Sequence, residues 1–178
     1  ISYSTPAGEL VLGDCKGRLC LCDWRWRKQR DRIDARITEA LDATFAEGST
    51  PLLEAASLQL DEYFQGKRTV FDLPLEQPGS PFQKAVWEAL AAIPWGRTVS
   101  YLDLARTIGN ELAVRAVAAA NGANALAIVV PCHRVIGSKG ELTGYAGGLA
   151  AKEKLLKLEG IQAGPGQGRL FPPESQAG

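Results

Sequence analysis

The chain has 178 residues, 20 Lys+Arg against 20 Asp+Glu, and 46% hydrophobic residues, a make-up ordinary for a folded protein long enough to bury a core. A formal charge of zero supplies no overall field for polyanions, and no stretch of about 18 apolar residues offers a membrane span. The opening "ISYSTPAGEL" lacks the basic-then-apolar plan of a secretion signal.

The charge is divided unevenly. Residues 1–79 sum to −3 and residues 80–160 to +3, which permits polyanion binding on one face without requiring it. The four cysteines are Cys15, Cys20, Cys22 and Cys132. Cys20 and Cys22 alternate along one apparent strand, and the spacing resembles no usual zinc ligand set. Reduced thiols in a cytoplasmic protein without metal are therefore expected.

In chain order, "ISYSTP", "ELVLGD" and "LCLCDW" read as short strands separated by the turn sequences "PAGE" and "CKGR". Helical stretches are expected over 29–46 and 51–65, with Leu52, Leu53, Ala56, Leu60 and Phe64 near helical spacing. "KRTVFDL" reads as a returning strand, and "PLEQPGSP" as a linker closing a first module at residue 79. Ser80-Pro81 begin a helix through "FQKAVWEALAAI", ended by Pro94 and Gly96. Ser100 is placed to cap "YLDLARTI", and "ELAVRAVAAAN" forms a further helix after Gly109 and Asn110. "ALAIVV" is expected as a buried strand, "GSKGELTGYAGG" as a glycine-rich loop and "LAAKEKLLKLE" as a final amphipathic helix. The Gly/Pro-rich segment 161–178 is expected to be a disordered tail. The predicted architecture is α/β (α+β). A small N-terminal sheet-and-helix domain, 1–79, precedes a mainly helical domain, 80–160, containing a helix-turn-helix.

Three groups of residues carry possible chemistry. The helix pair between Ser100 and Asn121 fits a helix-turn-helix, yet its second helix is mostly alanine, including Ala116, with Arg115 the one long basic side chain. An αα-hairpin packed in a core fits the same residues. In "VVPCHRVIG" the thiol of Cys132 stands next to His133, the chain's single histidine. A thiolate nucleophile needs a base or a positive field. Neighbours on an extended chain point to opposite sides, so a relay through water is as reasonable as direct contact. A structural cysteine beside a satisfied histidine is the alternative, although a buried His and Arg both demand partners. Glu159 ends the last helix, where the helix dipole disfavours a carboxylate, and it is a candidate to orient the imidazole. An ordinary exposed glutamate fits as well.

"VVPCHRVIG", "SYLDLA", "VRAVAAANGAN", "GYAGG" and "KEKLLKLEG", in this order and spacing, resemble the O6-alkylguanine-DNA alkyltransferase family, the bacterial methylated-DNA–protein-cysteine methyltransferases. The likeness is close over 80–160 and looser over 1–79. It implies irreversible, single-turnover transfer of an alkyl group from O6-alkylguanine in duplex DNA to Cys132, without a cofactor; a monomer is expected. By the same resemblance His133 polarises the thiol through a water, Glu159 holds the imidazole, and Tyr101 donates to the departing guanine. Arg115 replaces the flipped base, with Ala116 on the same minor-groove helix. Asn124 braces the loop before the cysteine. Tyr145, Ala146 and carbonyls near Cys132 and Val135 line the base pocket. Trp95 departs from the small or polar residue the resemblance implies and receives no role. A structural zinc, present in some relatives, is not expected with the one histidine already engaged.

Overall fold

The computed structural model describes residues 1–162; the expected disordered tail lies, from residue 163 onward, outside the described residues. Strands β1 (Ser2–Thr5), β2 (Gly8–Cys15) and β3 (Arg18–Trp24) form an antiparallel meander. Its register shifts between Gly13 and Asp14, and both faces of β3 are covered. Helix α1 (Arg30–Leu41) packs Ile33 and Ile37 against Cys20 and Leu21. Helix α2 (Pro51–Phe64) presents Leu53, Ala56, Leu60 and Tyr63 to a second, larger apolar cluster with Leu10, Leu12, Leu19 and Cys22. Thr50 caps α2 by accepting from Leu53 N, with Pro51 pre-set for the first turn.

After α2 the expectation of a strand at "KRTVFDL" fails. The backbone of Asp72 is bonded on both sides to the Gln59 side-chain amide, at 2.9 Å each way, which takes the place of a strand partner. The chain joins the sheet further on, at a parallel bridge between Leu75 and Leu19. Helix α1 likewise stops at Leu41, short of residue 46, because Asp42 turns into the left-handed region.

Helix α3 (Pro81–Ala91) opens on a reciprocal Ser80/Gln83 capping box, and α4 (Tyr101–Thr107) on the same device made by Ser100 and Asp103. Gly109, at φ 73°, turns the chain into a 3-10 turn (Glu111–Ala113) and then α5 (Val114–Gly122). The expected last helix is α6 (Leu149–Leu158). Two short strands, β4 (Val99–Ser100) and β5 (Val135–Ile136), pair in parallel and tie the start of α4 to the chain after Cys132.

The main apolar cluster takes residues from both sides of the linker, among them Leu10, Trp24 and Tyr63 from the first part and Trp87, Val117, Cys132 and Leu155 from the second. Two arginines of the first part also reach the C-terminal end of α5. Arg27 donates to the Gly122 and Asn124 carbonyls (2.5 and 3.0 Å) while paired to Asp23 at 2.7 Å. Arg36 donates to the Ala123 carbonyl at 2.8 Å and lies over the Trp87 ring. Carbonyls at the end of a helix lack intrahelical partners, and cations there are favourable.

Candidate active site

"ALAIVV" is not the strand its composition suggests. Ile128 adopts φ 72°, and Val130 N bonds back to Leu126 O at 2.8 Å, so the segment folds over itself. A β-branched residue is held in that costly region by its surroundings. Asn124 supplies them: its Nδ2 donates to Val130 O at 2.9 Å and its Oδ1 accepts from Leu126 N at 3.0 Å. Replacing Asn124 with Ala strands a buried carbonyl and a buried N–H, and is expected to destabilise the fold by about 2–3 kcal/mol, read as a lower denaturant midpoint.

This loop delivers Cys132 into a 3-10 turn, Cys132–Arg134, rather than an extended chain. Adjacent side chains of a turn are not forced to opposite faces, so the expected alternation does not govern Cys132 and His133. Cys132 is 3% exposed. It nevertheless lines a cavity of about 690 Å³ with Trp24, Asn121, Tyr145, Ala146 and Gly147. Trp24 packs edge-on against Tyr145, and a Cβ on Gly147 would fall 2.5 Å from the Trp24 ring; only glycine lets the loop lie this close.

His133 is fully buried, and its Nε2 stands 2.8 Å from Glu159 Oε1. A carboxylate can only accept, so Nε2 carries the hydrogen and Nδ1 keeps its lone pair. Nδ1 is buried and has no hydrogen-bond partner among the described residues, which leaves it available as a base. Arg134 grips Glu159 with two donors, Nε to Oε2 at 2.8 Å and Nη2 to Oε1 at 3.0 Å, and gives Nη1 to the Ile93 carbonyl. The Tyr63 hydroxyl donates to Oε1 at 2.8 Å, and Gly96 N to Oε2 at 3.4 Å.

The electrostatics follow from burial and these partners. Burial alone would raise the Glu159 carboxyl, but His133 and Arg134 outweigh it and hold it at about 2. Arg134 is the permanent cation of the cluster. Burial pushes His133 below its ordinary range against the pull of Glu159, so the imidazole rests neutral. The Cys132 thiol is pushed up by burial, with the Asn124 amide, Lys152 and Arg27 opposing. It therefore rests protonated, and a nucleophilic role requires a base at the moment of reaction.

Of the other expected residues, Tyr101 opens α4, is partly buried, and accepts from Thr143 Oγ1 at 3.4 Å. Burial raises its hydroxyl pKa, keeping a proton to give. Arg115, Ala116 and Ala119 are exposed on α5, next to the exposed Leu112 of the preceding 3-10 turn, and none of them is in the cavity lining. Val135 is buried, and its carbonyl accepts from Lys152 Nζ at 2.5 Å. The structure thus gathers Cys132, Tyr145 and Ala146 around one cavity and joins His133 to Glu159 behind it, while Asn124 lies beneath.

Four contributors were not foreseen: Trp24, Tyr63, Lys152 and the Gly96 N–H. Lys152 is fully buried, brought down to about 8 by burial, and also donates to Thr143 O at 3.1 Å. Its position was readable: Ala151, Lys152, Leu155, Leu156 and Glu159 recur at helical spacing on the buried face of the last helix.

Comparison with known proteins agrees with this architecture. The family described as 6-O-methylguanine DNA methyltransferase matches in two parts, a ribonuclease-like domain over residues 1–77 and a DNA binding domain over 81–161. A methylated-DNA–protein-cysteine methyltransferase of Methanosarcina acetivorans is 57% identical over 159 residues, 89% of this chain and 96% of that protein. The constitutive enzyme of the same description from Bacillus subtilis is 46% identical, over 88% of this chain and 92% of its own. The crystal structure of Mycobacterium tuberculosis OGT in complex with DNA superposes with a TM-score of 0.77 at 40% identity, covering 89% of this chain and 90% of that one. With this extent of agreement, the chain belongs to the 6-O-methylguanine DNA methyltransferase family.

Proposed function

We propose that this protein repairs DNA directly, moving an alkyl group from O6 of guanine in a duplex to Cys132 Sγ, once per molecule. The observation that carries the reading is the thiol at a cavity wall, next in sequence to a buried imidazole that rests neutral. The Nε2 of that imidazole is fixed on Glu159 and its Nδ1 is free to take a proton. The target carbon is inaccessible within a base stack, so the nucleotide must leave it. The thiol proton passes to His133 Nδ1 through a bridging water. Sγ then attacks the alkyl carbon, the bond from that carbon to O6 breaks, and Tyr101 gives guanine a proton. The product thioether is not reopened by thiols, which makes the transfer final.

Residues 80–160 carry the DNA-binding and alkyl-accepting parts, with α4 and α5 as the helix-turn-helix. The exposed stripe of α5, small residues apart from Arg115, suits close approach in a minor groove. Tyr145, Ala146 and the backbone near Cys132 and Val135 form the base pocket. The protein acts as a monomer in the cytoplasm, without metal or cofactor. A cysteine hydrolase would need an N–H aimed at an oxyanion, but the Cys132 N–H is bonded to Val130 O at 2.8 Å.

Intact-protein mass spectrometry after exposure to methylated duplex DNA is expected to show one added methyl group, on Cys132. Repeated turnover, or methyl elsewhere, overturns the reading. Arg115, exposed on α5, fills the gap left by the flipped base. Arg115→Ala is expected to slow repair of duplex DNA by roughly tenfold or more, the worth of a few kcal/mol of unstacking, while reaction with a free O6-alkylguanine base stays at the wild-type rate.

A further inference from the structure

Tyr63 belongs to α2, 96 residues before Glu159 in the chain, yet it is fully buried and its hydroxyl reaches Glu159 Oε1 at 2.8 Å. That oxygen is the one that accepts from His133 Nε2. The Tyr63 ring is set by aromatic neighbours, with Phe64 edge-on at 5.2 Å, Phe71 tilted at 5.6 Å and Trp95 edge-on at 5.3 Å. Trp95 precedes Gly96, whose N–H meets the other Glu159 oxygen. The residue left without a role by the sequence thus packs the tyrosine in place.

We infer that Tyr63 is a positioning residue for alkyl transfer: its hydroxyl fixes the Glu159 carboxylate and sets how strongly that carboxylate draws a proton to His133. The inference rests on the proposed role of Cys132 and His133. A carboxylate oxygen that accepts from Tyr63 has less negative charge to offer the imidazole. Removing the hydroxyl therefore makes protonated His133 more favourable. The other groups facing this pair are Arg134 on the same turn, Lys152 on α6 and Tyr145 on the glycine loop, with the Cys132 thiol next in sequence. His133 acts as a base only when neutral, so a more basic imidazole is lost to protonation at a higher pH.

The test is Tyr63→Phe in the full-length chain, with the rate of alkyl transfer to Cys132 followed against pH using both methylated duplex and a free O6-alkylguanine base. The expected result is a rate lower by roughly tenfold, the worth of one hydrogen bond to a charged group. The acid limb of the profile moves up by about half a pH unit to one unit, with affinity for undamaged duplex unchanged. Trp95→Phe, which keeps the hydroxyl but loosens its packing, shifts the limb in the same direction by less, and provides the reading should Tyr63→Phe not fold. An unmoved limb and rate in a folded variant overturn the inference. Absence of transfer in the wild-type control instead overturns the functional reading beneath it.

Discussion

Cys132→Ala is expected to abolish alkyl transfer outright while leaving affinity for duplex DNA at the wild-type level. The two properties sit on different surfaces. The thiol is 3% exposed at the wall of the cavity, whereas Arg115 and Ala116 face outward on α5. Loss of one sulfur from the core costs about 1 kcal/mol or less by burial, too little to unfold the chain. Cys132→Ser sharpens the result. It keeps the shape and a polar head, but its hydroxyl is far less readily ionised than a thiol, so even with His133 in place transfer falls below detection. Radiolabelled methyl from duplex DNA, counted on protein after denaturation, measures the first property, and a filter-binding titration the second. Label on either variant contradicts the assignment of Cys132.

Glu159→Gln is expected to be the most damaging change that leaves the thiol untouched. The carboxylate accepts from His133, Arg134, Tyr63 and Gly96. Neutralising it leaves the Arg134 guanidinium, 6% exposed, as a buried cation without a counter-charge, a defect of about 3–5 kcal/mol. The imidazole loses the acceptor that fixes its tautomer, and transfer should slow by roughly a hundredfold or more. The pH dependence has a definite sign. The folded carboxyl sits at about 2 against an ordinary 4.5, so its stabilising contribution is complete above the ordinary value and vanishes as pH falls through the folded one. His133, depressed by burial, acts in the same direction. Below its ordinary 6.5 the unfolded chain takes up a proton that the folded imidazole refuses. Wild type therefore loses stability steadily on acidification, and Glu159→Gln lacks the lower portion of that loss. Unfolding midpoints in urea across this pH range test it. A variant as acid-sensitive as wild type below pH 4.5 refutes the account.

The elements with strong local signals were legible in the residues. Ser80-Pro81 and Ser100 announce helix starts because a hydroxyl must satisfy free N–H groups there. The three strands follow from turn residues between alternating apolar runs. Segments governed by distant partners were not legible. "KRTVFDL" has strand composition, but Gln59 occupies its backbone. "ALAIVV" has strand composition too, but Asn124 and the left-handed Ile128 bend it. Within the site, the demand that a buried His and Arg find partners pointed toward Glu159, and the helical face of Lys152 was available to notice. Tyr63 was invisible for a simple reason: a tyrosine at the end of an amphipathic helix predicts burial, and nothing local says which carboxylate 96 residues away it will meet.

The arginines that fasten the end of α5, and the apolar cluster that ignores the linker, bear on how the molecule comes apart. Neither half can detach without exposing what the other covers: the Trp87 face, three backbone oxygens and the Glu159 oxygen met by Tyr63 would all be bared together. Such a chain behaves as a single cooperative folding unit.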